Sequence, residues 1–224
     1  MPILIYHYID ELNYDSDTLR RSLTTPPEIF EEQIRTLIKN GYKVYTLYDL
    51  VDVLNGEKEI NKKSFILTFD DGYKDFYTQA FPVLELYNLK STNFLILNSI
   101  NLKGTLKNWQ IEELYYSGLV DFGSHSVSHV NLQALSKTEM EKEVFDSKYQ
   151  LEELLNIPID FFSYPGGKYN SFTEELVNNA GYLAAVSTDL GIIQRKDSIF
   201  RLKRIKPGKM SGKALLAVIE KYTE

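Results

Sequence analysis

Short apolar runs alternate with amphipathic stretches along this chain, a rhythm that predicts strands and helices in turn and hence a mainly parallel sheet wrapped by helices. Residues 3–6 read as the first strand, and the polar stretch 10–25 as a loop. Thr25-Pro26-Pro27-Glu28 then carries a helix start, with Thr as cap and proline in the first turn; Phe30, Ile34, Leu37 and Ile38 make its apolar stripe before Asn40-Gly41 stops it. A shorter helix is expected over 47–54. Farther on, strands are expected over 65–69, 92–97, 119–122, 159–164, 184–187 and 201–205. Helices are expected over 81–87, 109–116, 136–155, 171–179 and 213–222. The longest of them opens on the capping box Ser136-Lys137-Thr138-Glu139. No internal repeat or low-complexity segment interrupts the series.

Composition narrows this picture. With 224 residues, 43% of them hydrophobic, the chain can bury one sizeable core, and residues 1–224 read as a single domain. The net charge of −6, without a basic stripe, argues against a nucleic-acid partner. Cysteine is absent, which excludes disulfides and thiolate metal ligands. No apolar run approaches the ~20 residues of a membrane span. The N-terminus lacks the basic region and cleavage pattern of a signal peptide, so the chain as it stands reads as soluble, with its compartment and oligomeric state open.

Candidate chemistry begins where the apolar run Phe65-Ile66-Leu67-Thr68-Phe69 delivers Asp70-Asp71 to Gly72. The C-terminal ends of strands carry the site in α/β folds. Two carboxylates together there can divide the labour, one binding a cation and the other moving protons; a solvated Asp-Asp-Gly turn is the plainer alternative. Two of the three histidines, His125 and His129, follow a later strand at a spacing of four, which places both imidazoles on one face of a helix. Two imidazoles and one carboxylate leave the open position that a catalytic zinc needs, and Asp71 can supply the carboxylate. The zinc-protease pattern puts Glu directly after its first histidine; here Ser126 stands there, so the base must come from elsewhere, and Asp70 is adjacent.

Thr68-Phe69-Asp70-Asp71-Gly72, His125-Ser126-Val127-Ser128-His129 and Phe162-Ser163-Tyr164-Pro165-Gly166-Gly167, in this order, resemble the polysaccharide deacetylases of carbohydrate esterase family four. The resemblance covers nearly the whole chain. Ile3-Leu4-Ile5-Tyr6-His7 and residues 27–50 look like the branch that de-N-acetylates poly-N-acetylglucosamine. It implies an α/β fold, a distorted and incomplete (β/α) barrel of about seven parallel strands. It also implies one divalent ion, zinc first and cobalt, nickel or manganese as alternatives, held by Asp71, His125 and His129. The implied reaction is metal-assisted removal of acetyl groups from an N-acetylated glycan, with Asp70 as general base and a backbone N–H near Gly166 facing the oxyanion.

Two departures from the family pattern bear on the mechanism. The arginine of the third motif, which pairs with the base, is replaced by Ser163, and the last strand, Arg201-Leu202-Lys203-Arg204-Ile205-Lys206, lacks the histidine that acts as general acid. Arg204 is the candidate replacement for the arginine, against a solvated basic residue. His7, at the end of the first strand, is the candidate proton donor, against a structural histidine. Asn98, Trp109 and Asp189 are weaker candidates for sugar contact. Two alternative functions stay open: a noncatalytic carbohydrate-binding relative, and an amidohydrolase acting on a nonsugar amide or cyclic imide.

Overall fold

The computed structural model describes residues 1–11 and 17–221. Its strands are β1 (Ile3–Tyr6), β2 (Tyr8–Ile9), β3 (Thr24–Thr25), β4 (Lys43–Tyr45), β5 (Ser64–Phe69), β6 (Ser91–Leu95), β7 (Val120–Ser124), β8 (Phe161–Ser163), β9 (Ala184–Leu190) and β10 (Leu202–Arg204). The helices are α1 (Thr18–Leu23), α2 (Pro27–Lys39), α3 (Leu47–Asn55), α4 (Phe81–Tyr87), α5 (Asn108–Tyr116), α6 (Lys137–Glu141), α7 (Ser147–Leu155), α8 (Ser171–Asn179) and α9 (Gly212–Lys221).

Seven strands pair in the order β1-β5-β6-β7-β8-β9-β10, all parallel, and curl into a nearly closed barrel. The remaining seam, between β1 and β10, is held by a single bridge at Leu4 and Ile205: Ile5 N donates to Ile205 O at 2.9 Å and Ile205 N to Ile3 O at 2.8 Å. The expected incomplete barrel is therefore the observed one.

Alternation along the strands sorts the core into two layers. Leu4, Tyr6, Phe65, Leu67 and Phe69 pack outward against Phe30, Ile34 and Leu37 of α2. Ile3, Ile66, Phe161, Val186 and Leu202 form a second cluster with Leu47 and Leu50 of α3, which stoppers one end of the barrel. His7, Asp70, Ser163, Thr188 and Arg204 stand two or four positions beyond those residues on the same strands, so they share the interior face at the opposite end.

Several local expectations need correction. The stretch 10–25 is not simply a loop: α1 and the two-residue strand β3 occupy its second half, while residues 12–16 lie outside the described residues. Thr25 does not cap α2; it pairs with Ile9, and Pro26 takes the cap position with no side-chain hydrogen bond. The strand β4 was not expected, because three residues are too few for a periodic signal; it fills the first half of the β5 edge that β6 continues. The long helix does open on the Ser136–Glu139 capping box, but a π-helical stretch at Lys142–Asp146 divides it into α6 and α7. Tyr222, the expected end of the last helix, lies outside the described residues. Among the described residues no helix is long and apolar enough to cross a membrane.

Candidate active site

Strand geometry alone cannot bring Asp70 and Asp71 together, since neighbours on a strand face opposite ways. The chain leaves β5 at Asp70, and Asp71 takes a left-handed backbone at φ 77°, followed by Gly72 at 66°. That turn swings Asp71 back over the barrel mouth beside Asp70. A left-handed Asp costs about 1 kcal/mol or more, and Gly72 cannot be replaced freely, because its own backbone is in the left-handed region that L side chains rarely adopt.

The histidine segment also departs from expectation. His125 and His129 are not on a helix; they flank a loop in which Ser126 (φ 65°) and His129 (φ 57°) are both left-handed. The spacing of four still brings the rings together, with centroids 4.7 Å apart, by coiling the loop rather than by helical periodicity. Hydrogen bonds fix that coil: His125 N donates to Leu95 O at 2.8 Å, Leu97 N to Ser126 O at 3.1 Å, and His129 N to Ser126 Oγ at 3.0 Å.

Asp71 Oδ1 lies 3.4 Å from His125 Nε2 and 3.5 Å from His129 Nε2. Three ligand atoms from these residues fall within 4.8 Å of one another. Zinc bonds of ~2.1 Å in a tetrahedron set ligand atoms about 3.4 Å apart, so the spacing suits such an ion. Asp71 Oδ1 is buried without a hydrogen-bond partner, as an atom reserved for a cation would be. His125 Nδ1–H donates to Ser163 O at 2.6 Å, which leaves Nε2 with its lone pair toward the cluster. Burial alone would raise the Asp71 carboxyl, but the His125 imidazole beside it outweighs that and lowers it. The residues present fit a divalent cation.

Beside this trio, Asp70 is enclosed. Arg204 donates Nη1–H to Oδ1 at 2.8 Å and Nη2–H to Oδ2 at 2.7 Å, and Ser163 Oγ donates to Oδ2 at 3.1 Å. Arg204 is itself anchored by Ser187 O at 2.8 Å and Thr68 Oγ1 at 3.2 Å. Burial pushes Asp70 up, yet the charge of the Arg204 guanidinium overrides it and holds the carboxyl well below the ordinary range. Oδ2 has both lone pairs engaged, whereas Oδ1 keeps one for a further donor.

His7 lines the same cavity, its Nδ1 buried and unpartnered. Burial pulls the ring down to about 4 against the opposing charges of Asp70 and Asp71, so it is neutral in neutral solution. Gly166 also lines the cavity, left-handed at φ 60°; at Gly167 a Cβ would meet Thr188 Oγ1 at 1.9 Å, so glycine is required. The cavity encloses about 490 Å³, enough for a sugar unit.

The sequence profile of polysaccharide deacetylases matches residues 57–185. YxkH of Bacillus subtilis, itself named for this family, is 35% identical over 222 residues, covering 98% of this chain and 76% of YxkH. The chain belongs to the polysaccharide deacetylase family, hydrolases that remove acetyl groups from sugars. The poly-beta-1,6-N-acetyl-D-glucosamine N-deacetylase of Staphylococcus epidermidis is 37% identical over 119 residues, half of this chain and 39% of that enzyme. Among solved structures, the Streptococcus pyogenes deacetylase PplD in complex with acetate superposes with a TM-score of 0.89 at 28% identity, covering 100% of this chain and 98% of that one.

Within this family member, the weaker candidates stand apart from the cluster. Asp189 accepts a hydrogen bond from Tyr169 at 2.5 Å, Trp109 is 58% exposed and meets Tyr77 edge-on, and Asn98 N donates to Val127 O at 2.9 Å. None of the three lines the cavity of Asp70 and Asp71. Sequence reasoning missed Thr68 and Ser187, the anchors of Arg204; the one available signal was that Thr68 shares Asp70's strand face. It also missed Tyr73, whose ring stacks on that of Tyr8 with centroids 3.7 Å apart.

Proposed function

We propose that residues 1–224 act as one catalytic domain that hydrolyses the N-acetyl groups of a hexosamine polymer, with poly-β-1,6-N-acetylglucosamine, the substrate named for the staphylococcal relative, as the model. The observation that carries this reading is the ionised, bidentately held Asp70 next to the Asp71, His125 and His129 donors at the floor of one cavity. Asp71, His125 and His129 would hold a divalent ion, zinc being the best match to a nitrogen and oxygen donor set without sulfur. Bound there, the ion supplies Lewis acidity, polarising the acetyl carbonyl and acidifying water.

The chain's own groups do the rest. Asp70 takes the proton of the attacking water at Oδ1, the oxygen with a lone pair to spare. Its depressed pKa makes it a modest base that releases that proton readily. The Gly166 N–H faces the developing oxyanion, at a glycine whose left-handed turn lets the backbone come close. His7, neutral until then, passes the proton on to the leaving nitrogen as the C–N bond breaks, giving a free amine and acetate. A glycan-binding protein without turnover has no use for the buried Asp70–Arg204 pair.

Release of acetate from N-acetylglucosamine oligomers, measured with added zinc or cobalt, tests the proposal. Turnover of a cyclic imide in place of these oligomers, or binding of the oligomers without acetate release, would each replace it.

A further inference from the structure

Four charged side chains line the cavity: Asp70, Asp71, Arg204 and Lys206. Asp70 and Arg204 neutralise each other through two short hydrogen bonds. Asp71 points at the two imidazoles and suits a cation. Lys206 is left over: among the described residues no hydrogen bond or ion pair engages it, and no carboxylate influences its titration.

Its position is set by the last strand. Arg204 and Lys206 are two residues apart, and in extended chain that puts both on the interior face, with Lys206 one step nearer the mouth. The wall around it is apolar, built from Leu19 and Leu23 of α1 and from Leu190 at the end of β9. Lys206 is exposed at the mouth, so its ammonium keeps part of its water, while the apolar walls beside it leave it free to act on charges that enter the cleft. Partial burial draws the Lys206 pKa down, with no anion among the described residues set against it. The overall charge of −6 makes this local excess a feature of the cleft, not of the protein at large.

A neutral acetamide has nothing to offer this cation. Resting on the proposed deacetylation, we infer that Lys206 recognises a negatively charged group, a carboxylate or phosphate, on the sugar next to the one being deacetylated. Among N-acetylated glycans, the enzyme then favours one that carries such an anion over the neutral homopolymer taken above as the model.

The test is kcat/KM for acetate release from three oligosaccharides of equal length: a neutral N-acetylglucosamine oligomer, one whose adjoining sugar carries a carboxylate, and one carrying a phosphate ester there. At low salt the native protein should favour at least one charged substrate roughly fivefold, the scale of one partly solvated ion pair. That preference should fade as added salt shortens the screening length. Lys206→Met should bring the ratio of charged to neutral rates near one, and Lys206→Arg should keep it. The charged substrate that gains more identifies the source of the anion. Equal rates on all three by the native protein, a preference untouched by salt, or a preference surviving in Lys206→Met would each overturn the inference while leaving deacetylation standing. Acetate release from none of the three would remove the deacetylase reading itself.

Discussion

Arg204 grips Asp70 through two parallel hydrogen bonds, at 2.8 and 2.7 Å, with both side chains closed off from solvent inside the barrel. The guanidinium comes from the last strand and the carboxylate from β5, 134 residues earlier, so the pair exists only once the barrel has nearly closed. Burying two charges is costly, and the pair is worth keeping for what it does to Asp70: it holds the carboxylate ionised and fixes which oxygen stays free.

Arg204→Met should leave Asp70 as an uncompensated buried charge and destabilise the fold by about 3–5 kcal/mol in denaturant titration. Adding Asp70→Asn should recover much of that loss, since the stranded charge goes with it. Neither variant should turn over substrate. A double variant as unstable as Arg204→Met alone would mean that packing, not charge, sets the cost.

The metal donors and the base should separate experimentally. Asp70→Asn keeps the shape of the side chain, so it should abolish turnover while binding zinc or cobalt as the native protein does, measured by competition with a chelator. His125→Ala and Asp71→Ala should lose that binding. Metal content falling in Asp70→Asn would make Asp70 a ligand and undo the division of roles.

Much of this arrangement was legible in the sequence because strand periodicity is strict. Once residues 65–69 read as a strand ending in Asp70, the interior face and the rim followed, and the same held for His7 and Arg204. The nature of the turn at Asp71 and the coil holding His125 and His129 was not legible. Left-handed residues at Asp71, Ser126 and His129 carry no glycine to mark them, and they persist because tertiary hydrogen bonds hold them. Helical spacing was therefore the wrong reason for a correct proximity. Strand β4 and helix α1 escaped for another reason: each is too short to show a period, and each is stabilised by what it packs on.

His7 offers a sharper mechanistic test. A relay through its ring predicts that His7→Gln loses roughly 10²-fold or more on an acetamide, whose amine must be protonated to leave. An activated aryl acetate needs no such proton, and the loss there should be much smaller. Metal affinity should be unchanged. Equal losses on both substrates would reduce His7 to a structural role, and full activity would remove it from the reaction altogether.

The last expectation concerns pH and a group away from the chemistry. Asp75 follows the Asp71-Gly72 turn, and its Oδ1 is buried without a hydrogen-bond partner. Burial pushes the carboxyl up to about 7; the N–H groups of Ile9 and Phe76 and the charge of Arg20 pull the other way, and Asp10 adds to the rise. The folded value stands above the ordinary 3.8, so the native state holds this proton more tightly than the unfolded chain does. Its contribution to stability is complete below pH 3.8 and is lost as pH rises through about 7. Asp75→Asn removes the titration, so the variant should gain on the order of 1–3 kcal/mol over the native protein at high pH, and the gain should shrink toward acid. Thermal melts of both proteins from acid to mildly alkaline pH, with the metal concentration fixed, measure this difference. Melting temperatures that differ by a constant amount across the whole range would show that Asp75 ionises in the folded protein as it does in water.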